Sequence, residues 1–449
     1  MERVDDRPMS DETGPMPASV GPGDRSEPGV PASRAGPPRP VLIGLGVAAA
    51  IVLVLVAVLL LRPGDEPVGE ASPSPTAIPT LSPTAATTPS ETAQPSATPA
   101  ATAPAIPESW SEAARFSEAG KRYALGDLVT WSGSLVAVGT LYDEPGRGVF
   151  GPPPPHTGIV WRSADGTDWT DATPDGTFDQ VELAHLFETS DGALIVIGTV
   201  WGSDANASSR AWETHDGQSW APIELNGVPS ATWINQVASG ARGHAAGPYY
   251  SADGRNWELT LAETQVASVA AGDEGFVASD GTATQVVASA DGREWFDAVA
   301  FGDGSLIAAP RGGDWIATTT AFDTQGDAET EVATWRSADG LEWSHVADFE
   351  LGSFTRPDLT CFEVPDVLHG LASITVMGTT LFGMCGEGAI VSPGASYATL
   401  DGASWMKLPF GDQTYAAGAA MAGGRVVIGT DGRTNAPVTD VVFWISEAP

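Results

Sequence analysis

The sequence predicts an all-β fold, a seven-bladed β-propeller whose N-terminal strand closes the last blade, preceded by one transmembrane helix and a disordered linker. Three observations predict it. Six segments fit Ser/Thr-x-Asp-Gly-x-x-Trp, starting at Ser163, Thr214, Ser251, Ser289, Ser337 and Thr399 and ending at Trp169, Trp220, Trp257, Trp295, Trp343 and Trp405. Gly-led apolar strands alternate with them at 133–139, 192–198, 275–278, 313–318 and 424–429, with weaker copies at 240–246 and 378–385. The ends of the region each carry half a repeat: Phe443-Trp444-Ile445-Ser446 matches the opening Val160-Trp161-Arg162-Ser163, and Ser109-Trp110 matches the closing Ser404-Trp405. A circular array whose first strand completes its last sheet removes its free edges. Seven units over 108–449 take roughly 49 residues each, the usual span of four-stranded blades.

The elements follow in order. Residues 1–40 hold nine Pro and no aromatic residue, and 63–108 hold 11 Pro and 13 Ser+Thr, again with no aromatic. Such segments cannot bury enough apolar surface to offset ordering entropy, so both are expected to be disordered. Between them, Val41 to Leu61 has no charged side chain. As a helix it would be about 30 Å long, the thickness of a bilayer core. A cleaved signal peptide is the alternative, but the run is longer than an ordinary h-region, starts far from residue 1, and leads into Leu61-Arg62-Pro63 without a small-x-small site. Arg25, Arg34 and Arg39 precede the span, whereas Arg62 alone follows it before Arg115, which predicts a cytoplasmic N-terminus and an external remainder. The domains are therefore 1–40, a cytoplasmic segment; 41–61, a membrane span; 62–107, a Pro/Ser/Thr/Ala stalk; and 108–449, the propeller.

Each Asp-Gly lies between an apolar alternating strand and a short strand that begins at the Trp. Gly accepts a positive φ and the Asp carboxylate can accept turn amides, so each segment reads as a hairpin. The hairpin resembles the Asp-box, or bacterial neuraminidase repeat, of sialidase-like β-propellers, and the likeness covers nearly all of 108–449; the copies here are one residue shorter than the usual repeat. The resemblance implies a structural part for Asp165, Asp216, Asp253, Asp291, Asp339 and Asp401, and carries no catalytic information.

With strands A to D named in chain order, as Leu128 to Trp131, Leu135 to Val138, Ile159 to Ser163 and the strand from Trp169, the hairpins join C to D and share one face with the A–B turns. The B–C and D–A connections share the other, and the long insertions fall there: 141–157, 200–209, 320–331, 386–395 and 346–368. Binding residues concentrate on loops held by a rigid scaffold. The candidates on that face are Tyr142, Asp143, Glu144, Arg147, Trp201, Asp204, Arg356 and Asp358, with His156 in the first loop. Asp323, Asp327, Glu329 and Glu331 supply carboxylates enough for Ca²⁺ but lack the spaced Asp-x-Asp-x-Asp-Gly pattern, so no metal is expected, and no other cofactor. Cys361 and Cys385 map to one rim of the sixth blade, the first in a D–A connection and the second at the end of strand B. A disulfide is expected in an external domain; a free thiol pair is the alternative.

The chain carries 57 Asp+Glu against 21 Lys+Arg, a formal net charge of −36. A polyanion of this size excludes nucleic acid as a partner. Sialidase chemistry needs an arginine cluster, a Tyr nucleophile with an acidic partner and an acid/base Asp. Arg162, Arg255, Arg293 and Arg336 fall at the hairpins instead, and the family's Phe/Tyr-Arg-Ile-Pro signature is absent near Phe116. The sequence therefore reads as a membrane-anchored binding module for a cell-surface glycan or protein, with a glycan-directed hydrolase or lyase as the alternative and an envelope-assembly role behind both.

Overall fold

The computed structural model describes residues 105–447 except 144–153, 203–205, 231, 262–265, 281–284, 299–300, 302–304, 322–329, 352, 357–358, 372–373, 385–388, 412–413 and 432–439. The expected cytoplasmic segment, membrane span and all but the last residues of the stalk lie outside it. Among the described residues no helix is long and apolar enough to cross a membrane.

Seven antiparallel sheets follow one another along the chain. Blade 1 consists of Arg122–Trp131, Ser134–Tyr142, His156–Ser163 and Trp169–Asp171 as strands A to D. Blades 2 to 5 repeat the order over 181–223, 237–259, 268–297 and 305–351, and blade 6 spans 353–407. In blade 7, strands A to C are Tyr415–Ala422, Arg425–Asp431 and Val441–Ser446, and strand D is Trp110–Phe116 from the domain start. The register pairs Trp110 with Ser446 and Phe116 with Val441. Side chains lock the closure: Trp110 meets the Phe410 ring edge-on at 5.3 Å, Phe410 stacks on Trp444 at 4.9 Å, and Arg115 bonds Asp440 at 2.8 Å.

Blade 6 differs from expectation. The segment 346–368 is not a D–A loop: strand D of blade 5 runs from Trp343 to Leu351, and Ser353–Arg356 then pairs with Leu359–Gly370 as a fifth strand. Cys361 accordingly lies on strand A, opposite Phe354, rather than in a connection. The alternation that makes this a strand is interrupted by Pro365, where the ladder shifts by one residue before Val367. The 386–395 insertion likewise shrinks, because Ala389–Thr399 is strand from its first residue.

The repeated hairpins share one geometry. In every copy the Gly amide donates to the Ser/Thr Oγ at 2.8 to 2.9 Å, and the Asp Oδ1 accepts the two following turn amides, as Asp216 does from Gln218 and Ser219 at 2.7 Å each. Those amides hold the Asp216 carboxyl well below the ordinary carboxylate range. The Gly φ values lie between +69° and +84°, which a side chain would strain. The Trp that follows packs inward: Trp169 stacks on Phe443 of the preceding blade at 3.8 Å, and Trp257 meets Phe187 of its own preceding blade.

Polar side chains near the axis stitch one blade to the next. Asp127 accepts the Leu186 amide at 2.8 Å, the His185 ring bonds the Asn235 backbone, Gln236 accepts the Val269 amide, His369 bonds the Ala416 backbone, and Asp431 accepts the Leu125 amide. Burial pushes His185, His369 and also His244 down to about 4 and Asp127 up to about 6. The histidines fold in their neutral form, so their contribution to stability is complete above an unfolded pKa of about 6.5 and is lost as pH falls toward 4. Asp127 has the opposite sign, favouring the fold below about 3.8 and losing that contribution as pH rises through 6. Three groups outweigh one. The thermal midpoint should fall between pH 6.5 and 4, and His185→Gln with His369→Gln should flatten that slope; a slope unchanged by both substitutions would assign the acid sensitivity elsewhere.

Candidate functional site

On the face of the B–C and D–A connections, strand ends of blades 1 and 2 bring together five side chains. Strand B of blade 1 ends at Tyr142, which pairs across the sheet with Arg122 on strand A and His156 on strand C. Strand A of blade 2 (Val181–Glu188) begins one residue before Glu182, and its strand B (Leu194–Trp201) ends at Trp201. The Tyr142 hydroxyl donates to Glu182 Oε1 at 2.9 Å, and the Trp201 indole N–H donates to Oε2 at 3.0 Å. Both carboxylate oxygens are therefore engaged, one from each side of the blade seam.

The surroundings fix this trio. The Arg122 guanidinium lies 4.0 Å from the centre of the Tyr142 ring, a cation–π contact. His156 lies 5.7 Å from the same ring. Its Nδ1 is 2.8 Å from the Pro154 carbonyl, so in the neutral ring Nδ1 donates and Nε2 is left as an acceptor. His156 is only 3% exposed, and its Nε2, like the buried Arg122 Nε, has no hydrogen-bond partner among the described residues. Gln180, at φ +57°, bonds the His156 carbonyl through its backbone amide at 2.9 Å and its side-chain amide at 3.1 Å. A non-glycine residue held in the left-handed region is strained, and here that strain places both donors on one carbonyl.

The sequence candidates divide as follows. Tyr142 and Trp201 meet at Glu182, a residue sequence reasoning missed. Asp143 is exposed and its carboxylate lies 3.8 Å from the Lys121 ammonium. Arg356 pairs with Leu359 at the end of the added strand of blade 6, and Glu331 pairs with Ala321 in blade 5. Glu144, Arg147, Asp204, Asp358, Asp323, Asp327, Glu329 and Cys385 lie outside the described residues. The hairpin arginines stay where expected, Arg162 donating to the Asp216 carbonyl at 2.9 Å and Arg255 bonding Glu213. The missed signal was positional: Arg122 and Glu182 are charged residues at the start of strand A in successive blades.

Chemically, the trio offers a half-buried carboxylate with one lone pair left on each oxygen, bordered by aromatic rings and a guanidinium. Tyr142 is 7% exposed, so its hydroxyl serves first to hold Glu182. No group of three or more His, Cys, Asp or Glu residues suited to a metal ion occurs among the described residues.

The chain matches no protein-family model and no curated protein. Among solved structures it is similar to a Penicillium chrysogenum α-L-arabinanase complexed with arabinobiose, at 14% identity over 73% of this chain and 92% of that one, with a TM-score of 0.35. It is also similar to a Trypanosoma rangeli sialidase in complex with sialic acid (13% identity, 72% and 54%, TM-score 0.34) and to a glycosyl hydrolase from Bacteroides ovatus (11% identity, 74% and 85%, TM-score 0.28). The order of the seven sheets establishes the propeller independently of these likenesses.

Proposed function

We propose that this chain is a membrane-anchored, extracytoplasmic propeller of sialidase-like type, with Asp-box hairpins, that acts as a binding module for glycan or protein ligands through its B–C and D–A face. The observation that supports binding over turnover is the engagement of Glu182 by Tyr142 and Trp201: a carboxylate held by two donors is shaped to accept ligand hydroxyls or amides, and is poorly placed to shuttle a proton. A glycan array and a surface-protein pull-down with the full chain test it. Retention of neither class of ligand would overturn the reading.

The hydrolase alternative would need the Tyr142 hydroxyl, 7% exposed and bonded to Glu182, to be released as a nucleophile with that carboxylate as its acidic partner. Turnover of a fluorogenic glycoside panel, abolished by Tyr142→Phe, would establish it in place of the binding module.

Anchoring through 41–61 predicts that protease added to intact cells removes the propeller and spares an N-terminal tag; loss of both would refute it. For Cys361 and Cys385, the β-ladder pairs Phe362 with Phe382, so Cys361 precedes one member and Cys385 lies just beyond the strand end at Met384. A disulfide there should leave no reactive thiol in the denatured, unreduced chain and should add about 3 kcal/mol of stability. Two titratable thiols would show that no bridge forms.

A further inference from the structure

Trp233 is 55% exposed, and it sits in the connection between blades 2 and 3 rather than on a strand. The other large apolar side chains exposed among the described residues, Leu259, Phe296 and Met406, occupy outermost strands of blades 3, 4 and 6. Trp233 is tied down. Its indole N–H donates to Thr199 Oγ1 at 3.3 Å, and the next residue, Ile234, is buried with its amide bonded to Ser209 Oγ at 2.8 Å. Thr199 pairs directly with Glu182 on one side and with Ser209 on the other. Directly paired residues of an antiparallel sheet project from the same side with Cα atoms about 4.5 to 5.5 Å apart. Trp201, two residues past Thr199, projects from that side as well. The exposed indole of Trp233 and the carboxylate of Glu182 are thus fixed to neighbouring positions of one cross-strand row.

We propose that Trp233 is the stacking platform of a carbohydrate subsite, with Glu182 as its hydroxyl acceptor, and that the ligand is a neutral pyranoside. This rests on the binding-module reading above and names its ligand class. With its N–H already satisfied, the indole has only its π face left to offer, and a pyranose presents a complementary face of C–H groups ringed by hydroxyls. Glu182 retains one lone pair per oxygen for those hydroxyls. A chain with a formal charge of −36 repels sialylated and uronate-bearing glycans, which leaves uncharged sugars as the matching class. A protein partner would also use a tryptophan anchor, but it needs a wider apolar patch around that anchor, and here the residues that bond to or pair beside it are Thr199, Ser209 and Glu182, with Trp201 tied by its N–H to the same carboxylate.

The test uses the full chain with immobilised gluco-, galacto- and manno-configured neutral oligosaccharides beside a sialylated and uronate set. The unmodified chain should bind at least one neutral series, Trp233→Ala should weaken that binding by about tenfold or more, and Trp233→Phe should retain most of it. An exposed position makes an unchanged thermal midpoint the expected control. Undiminished neutral-glycan binding by Trp233→Ala would overturn the platform while leaving a glycan-binding module standing. Binding to acidic glycans alone, or to a protein with no glycan bound, would overturn the ligand class while leaving a binding module. Retention of nothing by the unmodified chain would overturn both.

Discussion

Deleting 109–116 should produce a chain that aggregates or melts about 10 °C or more below the intact protein, because two aromatic side chains lose their burial and strand C of blade 7 becomes an open edge. Trp110 would leave Phe410, and Phe116 would leave Trp161 and Phe443, which lie 5.5 and 6.1 Å from it. The Arg115 bond to Asp440 would go with them. Differential scanning calorimetry reads the loss. A synthetic peptide covering 108–118 should restore part of the midpoint by adding the strand in trans, since main-chain pairing supplies most of such an interface. A truncated chain melting within a degree or two of the intact one would mean that strand D of blade 7 contributes nothing to closure.

Gly370→Ala should cost more than about 3 kcal/mol, at the upper end of what an added methyl does in a packed interior. Gly370 ends strand A of blade 6 (Leu359–Gly370), and a Cβ there would overlap the carbonyl of Pro310 on strand A of blade 5 (Ser305–Arg311). The obstacle is backbone, which has no rotamer to escape into. Gly126 against the Leu183 carbonyl and Gly240 against the Gly272 carbonyl repeat the approach between other innermost strands. Gly424→Ala is the informative comparison: Gly424 has φ +79° and open space around it, so it should lose only the left-handed penalty of about 1 to 2 kcal/mol. Urea titration of both variants separates the cases. Equal losses would show that the innermost strands can part without consequence.

Blades 1, 2 and 7 were legible because their apolar strands run long and their hairpins are local. A Ser/Thr, an Asp, a Gly and a Trp within seven residues specify a turn in which the Ser/Thr and Asp side chains bond amides of the turn itself, so the turn at Asp216 and its counterparts can be read without a distant partner. The seam of blade 7 was legible for the same reason, as two halves of one local pattern. Blade 6 was not. Pro365 and the bulge beside it disguise a twelve-residue strand as a loop, and the partner that makes Ser353–Arg356 a strand lies across a turn with no Asn-Gly or Asp-Gly signal. The candidate site was half visible. Tyr142 and Trp201 stand at the ends of apolar strands and draw notice, whereas Glu182 is 40 residues from Tyr142 and belongs to no motif. Only the side-by-side placement of two blades makes it their shared acceptor, and periodicity within a strand holds no information about that.

The Glu447 amide donates to the Ser109 carbonyl at 3.1 Å, so the residues just outside the first and last strands of the ring are hydrogen-bonded neighbours. Covalent continuity is therefore interchangeable around the circle. A short peptide joining 447 to 109 would close the C–D seam and let the polypeptide be reopened at an A–B turn, such as Ser132–Gly133, yielding circular permutants with the same seven sheets and a relocated seam. Blade identity in such a molecule is a property of position in the ring rather than of order in the gene, and each blade can take its turn as the one held shut without a peptide bond.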